Sequence, residues 1–161
     1  MTMPSPIAVR PAEIDPPVQP GERVRVLCAI EALLRIQRLV MDHYPDADME
    51  AVTVLLTVAA GSMSVVNRDE AAHQMLLEGP LPSDLFRPIS GRAVAASCGL
   101  PRETVRRRLE LLEQSGEIER VEGGYQLCAD PLARGQNLAF ARALVREFEG
   151  VHRMIERCDL G

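Results

Sequence analysis

The sequence predicts a mainly α fold (α+β) with one small β-hairpin, on three observations. Apolar residues make up 47% of the 161 residues, but aromatics only 3%, with no Trp, so the core must be built from Leu, Val, Ile, Ala and Met, which suits closely packed helices. Apolar residues recur at three-to-four spacing through most of the chain. The clearest hairpin signal is a Gly123-Gly124 pair between short β-type runs. A chain of this length can bury its own core without disulfides or metals.

Residues 1–21 hold six of the twelve prolines and show no apolar period, which predicts a disordered tail. Residues 22–79 are expected to hold three helices. The first runs from Glu22 to about Tyr44, with Val24, Leu27, Ile30, Leu33, Leu34, Gln37 and Val40 at helical spacing, and Pro45 ends it. The second starts after Asp46 or Asp48 and continues to about Val66. It is apolar nearly all round and is expected to be central. Asn67 with Glu70 resembles a capping box for the third, which ends near Gly79. Gly79-Pro80-Leu81-Pro82 is a break. After Pro131 a last helix, 131–158, carries a continuous apolar stripe of Phe140, Leu144, Phe148, Val151, Ile155 and Cys158, with Arg134, Arg142, Arg146, Arg153 and Arg157 on its polar faces.

Residues 84–128 carry the functional signal. Ser90 can cap a short helix of Arg92 to Ser97, whose core residue is Val94; Ala95 is small enough for a second helix to cross nearby. Gly99 suits the sharp turn, and Leu100 plugs the corner. Pro101 suits the first turn of the next helix, whose inner stripe is Val105, Leu109 and Leu112 and whose end is Gly116. Ile118 and Val121 enter the hairpin, Gly123-Gly124 turns it, and Tyr125 and Leu127 return. Helix, turn, helix and hairpin in this order make a winged helix-turn-helix. The full expectation is that unit with flanking N- and C-terminal dimerisation helices.

Formal net charge is −5, but its distribution is uneven. Residues 87–109 carry six Arg and one acid, net +5, against −6 for residues 1–86 and −4 for residues 110–161. Local sign governs docking on phosphate more than the total does. The outer face of the second helix fits the major groove, where Arg102, Arg106 and Arg107 can pair with guanine and Glu103 can accept from cytosine. Ser90, Arg92, Thr104 and, on the ribbon, Arg120 suit phosphate contacts. Arg108 lies beside the buried stripe, in a structural or flanking position.

This stretch resembles the DNA-binding unit of the GntR and MarR families of bacterial transcription regulators. Ser90, Arg92 and Ala95 match the first part of the GntR-like pattern, with Val94 for Leu. Arg102, Thr104, Val105, Arg106 and Leu109 match the second, and Leu112, Gly116 and Ile118 the third. Pro101 stands where that pattern has a Ser cap, and Glu122-Gly123-Gly124 makes a short acidic wing tip. The likeness covers about 40 residues, and the layout of flanking helices is closer to MarR. It implies transcriptional regulation, as a repressor, by a homodimer built on the first and last helices, reading a pseudo-palindrome in double-stranded DNA. The acidic ribbon keeps a second function open: a protein-interaction module without direct DNA binding. A small-molecule effector between helix 2 and the dimer helices is a further expectation, for which the sequence names no residues.

Other chemistry finds little support. No nucleophile-elbow, zincin, P-loop or dinucleotide motif occurs, so no enzyme activity, cofactor or metal is expected. His43, His73 and His152 lack metal spacing and read as surface or interface residues. Cys28, Cys98, Cys128 and Cys158 form no CxxC pair and read as buried small hydrophobes. Met41, Met49, Met63 and Met75 read as core filler. The N-terminus lacks a signal-peptide pattern, and the uncharged stretch 51–66 is too short for a membrane span, so a soluble cytoplasmic protein is expected.

Overall fold

The computed structural model describes residues 17–45, 48–128, 130–133 and 135–159, with the backbone alone at 158 and 159. Most of the expected tail, Asp46, Arg134 and the Cys158 side chain lie outside the described residues. The elements are α1 (Glu22–His43), α2 (Met49–Ser62), α3 (Glu70–Glu78), α4 (Gly91–Cys98), α5 (Arg102–Gln114), β1 (Ile118–Val121), β2 (Gly124–Leu127) and α6 (Gly135–Asp159). Single 3-10 turns follow α2 and precede α4 and α6. The chain is thus mostly helical with a two-stranded antiparallel sheet.

Local chemistry sets most boundaries. Asp48 caps α2 by accepting the Ala51 N–H at 2.8 Å. Thr53 and Thr57 satisfy their hydroxyls inside α2 by donating to the carbonyls of Met49 and Thr53, each at 2.7 Å. The cap of α3 differs from expectation. Asp69, not Asn67, accepts a helix N–H, that of Ala71 at 2.9 Å, because Asn67 lies within the turn 66–68, two residues before the helix cap.

The α2 helix runs through the core and packs on α4, α5 and β2. Val54, Val58, Val94, Val105, Leu109 and Ile118 are buried at 1% exposure or less. The end of α2 also ties the elements together by hydrogen bonds. Ser62, wholly buried, accepts the Leu127 N–H on its hydroxyl at 3.2 Å and the Arg87 N–H on its carbonyl at 3.1 Å. A buried hydroxyl left unpaired would be costly, so these bonds hold the approach to α4 and the ribbon in register.

The hairpin turn is shifted from expectation. Val121 pairs with Gly124, which leaves Glu122 and Gly123 as the two turn residues and puts Gly124 in the strand. The reason is close approach. Ile89 forms a bridge to Tyr125, and a Cβ on Gly124 would stand 2.3 Å from the Ile89 carbonyl oxygen.

Helices α1 and α6 pack against each other as an antiparallel pair. His43 bonds Asn137 at 3.1 Å, and Arg35 lies 3.6 Å from Glu147. The face of α1 turned to α6 is not the large apolar stripe. Cys28, Ala32 and Val40 are buried, while Val24, Leu27, Ile30, Leu33 and Leu34 are at least half exposed. Small residues let the two helices come close, which leaves the larger ones outside. On α6, Val145 and Phe148 are likewise exposed. Met41, Met49 and Met75 are also exposed and are not core filler; Met63 packs against the core. Cys28 is buried, Cys98 and Cys128 partly so.

An aromatic joint connects this pair to the core. His43 stacks on Phe140 at 4.4 Å, and Tyr44 meets both rings edge-on. Burial, then the Glu117 carboxylate, pushes the Tyr44 phenol above its usual value near 10. A phenol raised in the folded state supports folding below the unfolded value, and that support is lost as pH climbs from 10 through the folded value. In a Tyr125→Phe variant, which leaves Tyr44 as the one tyrosine, the phenolate absorbance should rise later than in the unfolded chain. A native titration coincident with the unfolded one would refute this setting.

Among the described residues no single helix is long and apolar enough to cross a membrane; α2 and α3, apolar enough together, meet at a 112° bend.

Candidate nucleic-acid interface

The Ser90 hydroxyl accepts the Ala93 N–H at 3.2 Å and caps α4. It is therefore engaged in the fold, though the residue is exposed. Arg92 follows on the outer side of α4, exposed. Gly99 takes a left-handed φ of 70° and turns the chain within three residues into α5, a conformation that disfavours a side chain. Leu100 packs against the core as expected. Pro101 sits one position earlier than expected, at the cap rather than in the first turn, with φ −56° and ψ 140°. It offers no acceptor, so the first-turn amides of α5 have no side-chain cap.

Burial of Val105, Leu109 and Leu112 orients α5. The opposite face carries Arg102, Glu103, Arg106, Arg107 and Glu110, all exposed. Thr104 lies on the flank toward α2 and is half-buried, which makes it the least accessible of the sequence-derived candidates. Arg108 is on the same flank. Its Nη2 pairs with the carboxylate of Asp48 and, at 3.0 Å, with that of Glu50. It therefore links α5 to the start of α2 and lies off the outer face.

The structure brings several candidates together. Gly91, Arg92, Arg102, Val105, Arg106, Leu109 and Tyr125 line one surface groove of about 210 Å³. Arg120 stands 5.8 Å from the centre of the Tyr125 ring, so it borders this groove through that ring. Ser90 adjoins it through Gly91. Arg107 and Glu103 are on the outermost strip of α5, outside the groove. Tyr125 is the member that sequence reasoning missed. Its pairing with Arg120 across the ribbon was the available signal, once the turn is counted from Glu122.

The arginines are held in place by acids of their own helix. Arg106 donates to Glu103 at 3.0 and 2.7 Å and also bonds Glu110; Arg107 donates to Glu103 at 3.1 Å. The hydrogen bond from Arg106, then that from Arg107, lowers the Glu103 carboxyl to about 2. The same pairing raises Arg106 above its usual range. All these side chains are about half exposed or more, so salt and solvent screen the attraction. The Glu110 partner follows from its i,i+4 spacing to Arg106.

The ribbon adds little positive charge. Glu122 is exposed at the tip, and Glu119 bonds Gln126 at 2.9 Å. Among the described residues, no group of three or more His, Cys, Asp or Glu is placed to hold a metal ion. No protein-family model, no curated protein and no solved structure matches this chain.

Proposed function

We propose that the protein is a winged helix-turn-helix transcription regulator that binds double-stranded DNA as a homodimer and acts as a repressor. The single observation that carries this reading is the shared groove of Arg92, Arg102, Arg106 and Tyr125, with Arg107 beside it on an outward helix face. A lone exposed α-helix of this width fits the major groove of B-DNA. In this reading α5 enters the groove, Arg106 and Arg107 meet base edges, and Arg102 reaches base or backbone. Arg92, Arg120 and the uncapped amides of α5 meet phosphate. Glu103 then exchanges its arginine partners for a cytosine amino group. The acidic ribbon tip is kept away from phosphate.

The dimer surface is the exposed apolar face of α1 and α6. Helical phase puts Leu27, Ile30, Leu34 and Met41 on the side of α1 away from its buried residues, with Val26 and Leu33 flanking them toward Val40, and Val145 and Phe148 are exposed on α6. The six on α1 stand at half exposure or more, an apolar stretch on the order of a few hundred Å². A patch of that size on a water-exposed face marks an interaction site. Twofold pairing would set the two α5 helices about one DNA turn apart, roughly 34 Å.

Selection of bound duplexes from a random oligonucleotide pool tests the reading. The expected result is enrichment of an inverted repeat whose affinity falls steeply between about 50 and 200 mM salt. The acidic ribbon favours a second reading, a protein-interaction module. No enrichment, and binding to duplex that salt does not alter, would sink the DNA reading in favour of that one.

A further inference from the structure

The acids on the outer face of α5 occupy a particular edge of their arginines. Arg106 has a two-pronged edge, Nε and Nη2, and Glu103 fills it: Nε donates to one carboxylate oxygen at 3.0 Å and Nη2 to the other at 2.7 Å. The oxygen that takes Nη2 also accepts from Arg107 Nε at 3.1 Å. Glu110 takes Arg106 Nη1. All three pairs stand at i,i+3 or i,i+4, so the spacing on the helix brings them together. A fork of two parallel N–H groups is also what a guanine edge or a phosphate engages. In the free chain, Glu103 therefore holds the place on Arg106 that either of them would take.

The contenders differ in what they offer the displaced carboxylate. The pairs are exposed, so breaking them in water costs little. Against a duplex, the carboxylate loses water and needs a new donor. Every base pair has one amino group in the major groove, on cytosine or adenine; the guanine or thymine opposite shows acceptors only. Phosphate offers no donor and carries like charge. Protonation is no escape, because the two arginines lower the Glu103 carboxyl to about 2. A duplex that turns an acceptor base toward Glu103 either strands the carboxylate or leaves Arg106 and Arg107 bound to it, away from DNA. On the DNA-binding function proposed above, we propose further that Glu103 is a discrimination residue. It withholds the Arg106 fork and Arg107 Nε from bare phosphate and releases them where a cytosine or adenine amino group meets its carboxylate. Its effect falls on the ratio between the right duplex and all others, at the expense of affinity for the others.

Fluorescence anisotropy of the full chain tests this on two duplexes, the selected inverted repeat and a scrambled one of equal composition. Glu103→Gln keeps the length of the side chain and removes its charge. Affinity for the scrambled duplex is expected to rise about tenfold, and its salt dependence to steepen by about one to two ions, as the freed guanidiniums reach phosphate. Affinity for the selected duplex should rise less than about threefold, so the preference between the two shrinks. Glu113→Gln controls for charge alone. Glu113 is exposed seven residues after Arg106, and among the described residues it pairs with neither arginine. That variant should move both duplexes by the same small factor. A preference in Glu103→Gln within about a factor of two of the parent's would overturn the proposal. So would an equal loss of preference in Glu113→Gln. A parent chain that enriches no duplex sinks the regulator function and this role together. A parent that enriches one, and keeps its preference without the Glu103 charge, sinks this role alone.

Discussion

Replacing Arg106 and Arg107 together by Ala is expected to lower affinity for the selected duplex about a hundredfold while leaving the fold intact. Each guanidinium that pairs with a base edge is worth about 1–3 kcal/mol of discrimination, and neighbouring losses do not add fully. The fold should survive because both side chains are exposed, at 55% and 70%, and the stripe that seats α5 is untouched. What the variant loses in the free protein is a set of screened, water-exposed ion pairs with Glu103 and Glu110, which contribute little. Fluorescence anisotropy at fixed salt measures the affinity, and circular dichroism checks the helix content. The same titration at several salt concentrations distinguishes roles. An arginine that touches phosphate should, once removed, flatten the salt dependence by about one ion, whereas removing one that reads a base should relax sequence preference instead. Affinity within a factor of two of the parent would remove α5 as the reading element.

The second large effect concerns the outer face of α1. Ile30→Glu with Leu34→Lys puts opposite charges one turn apart in the middle of the apolar stripe, an arrangement that supports the helix while it opposes apolar association. Both residues are about half exposed, at 52% and 50%, so the single chain loses little packing. The parent is expected to run as a dimer of twice the 17.7 kDa chain mass, and the variant as a monomer, in light scattering after size exclusion. A monomer offers one α5 per duplex, so its affinity for an inverted repeat should drop by two or more orders of magnitude, as the effective concentration of the second site is lost. A parent that is monomeric at micromolar concentration would show that this face has another purpose.

Much of the fold was legible because its signals are local. Asp48, Ser90 and Gly99 act within a turn of their own position, through a hydrogen bond to a nearby amide or a backbone angle. Val94, Val105, Leu109 and Leu112 announce their inward direction by spacing alone, and all are buried. The misplaced cap at Asn67 and the hairpin turn shifted by one residue are failures of the same local logic. In each case two nearby candidates were chemically acceptable, and spacing could not choose between them. For the hairpin the choice falls to a distant neighbour, Ile89 against Gly124 and Tyr125.

The candidate site was legible as a set of residues but not as an arrangement. Arg92, Arg102 and Arg106 stand out in the sequence; their meeting with Tyr125 in one groove depends on how the ribbon lies beside α5. Thr104 belongs to the same sequence pattern and turns toward α2 instead, half-buried. Arg108 finds its two carboxylate partners, Asp48 and Glu50, about sixty residues away in sequence, and no periodicity could reveal that.

The sequence by itself determined where most helices begin and end, which face of α5 is polar, and where the positive charge gathers, because those follow from neighbours a few bonds or one turn away. Only the tertiary structure decided which side of α1 is inward. Apolar spacing marks a face that must avoid water but does not name what covers it. The small residues Cys28 and Ala32 allow α6 to approach closely, and that packing turns the bulkier Leu27, Ile30, Leu33 and Leu34 outward.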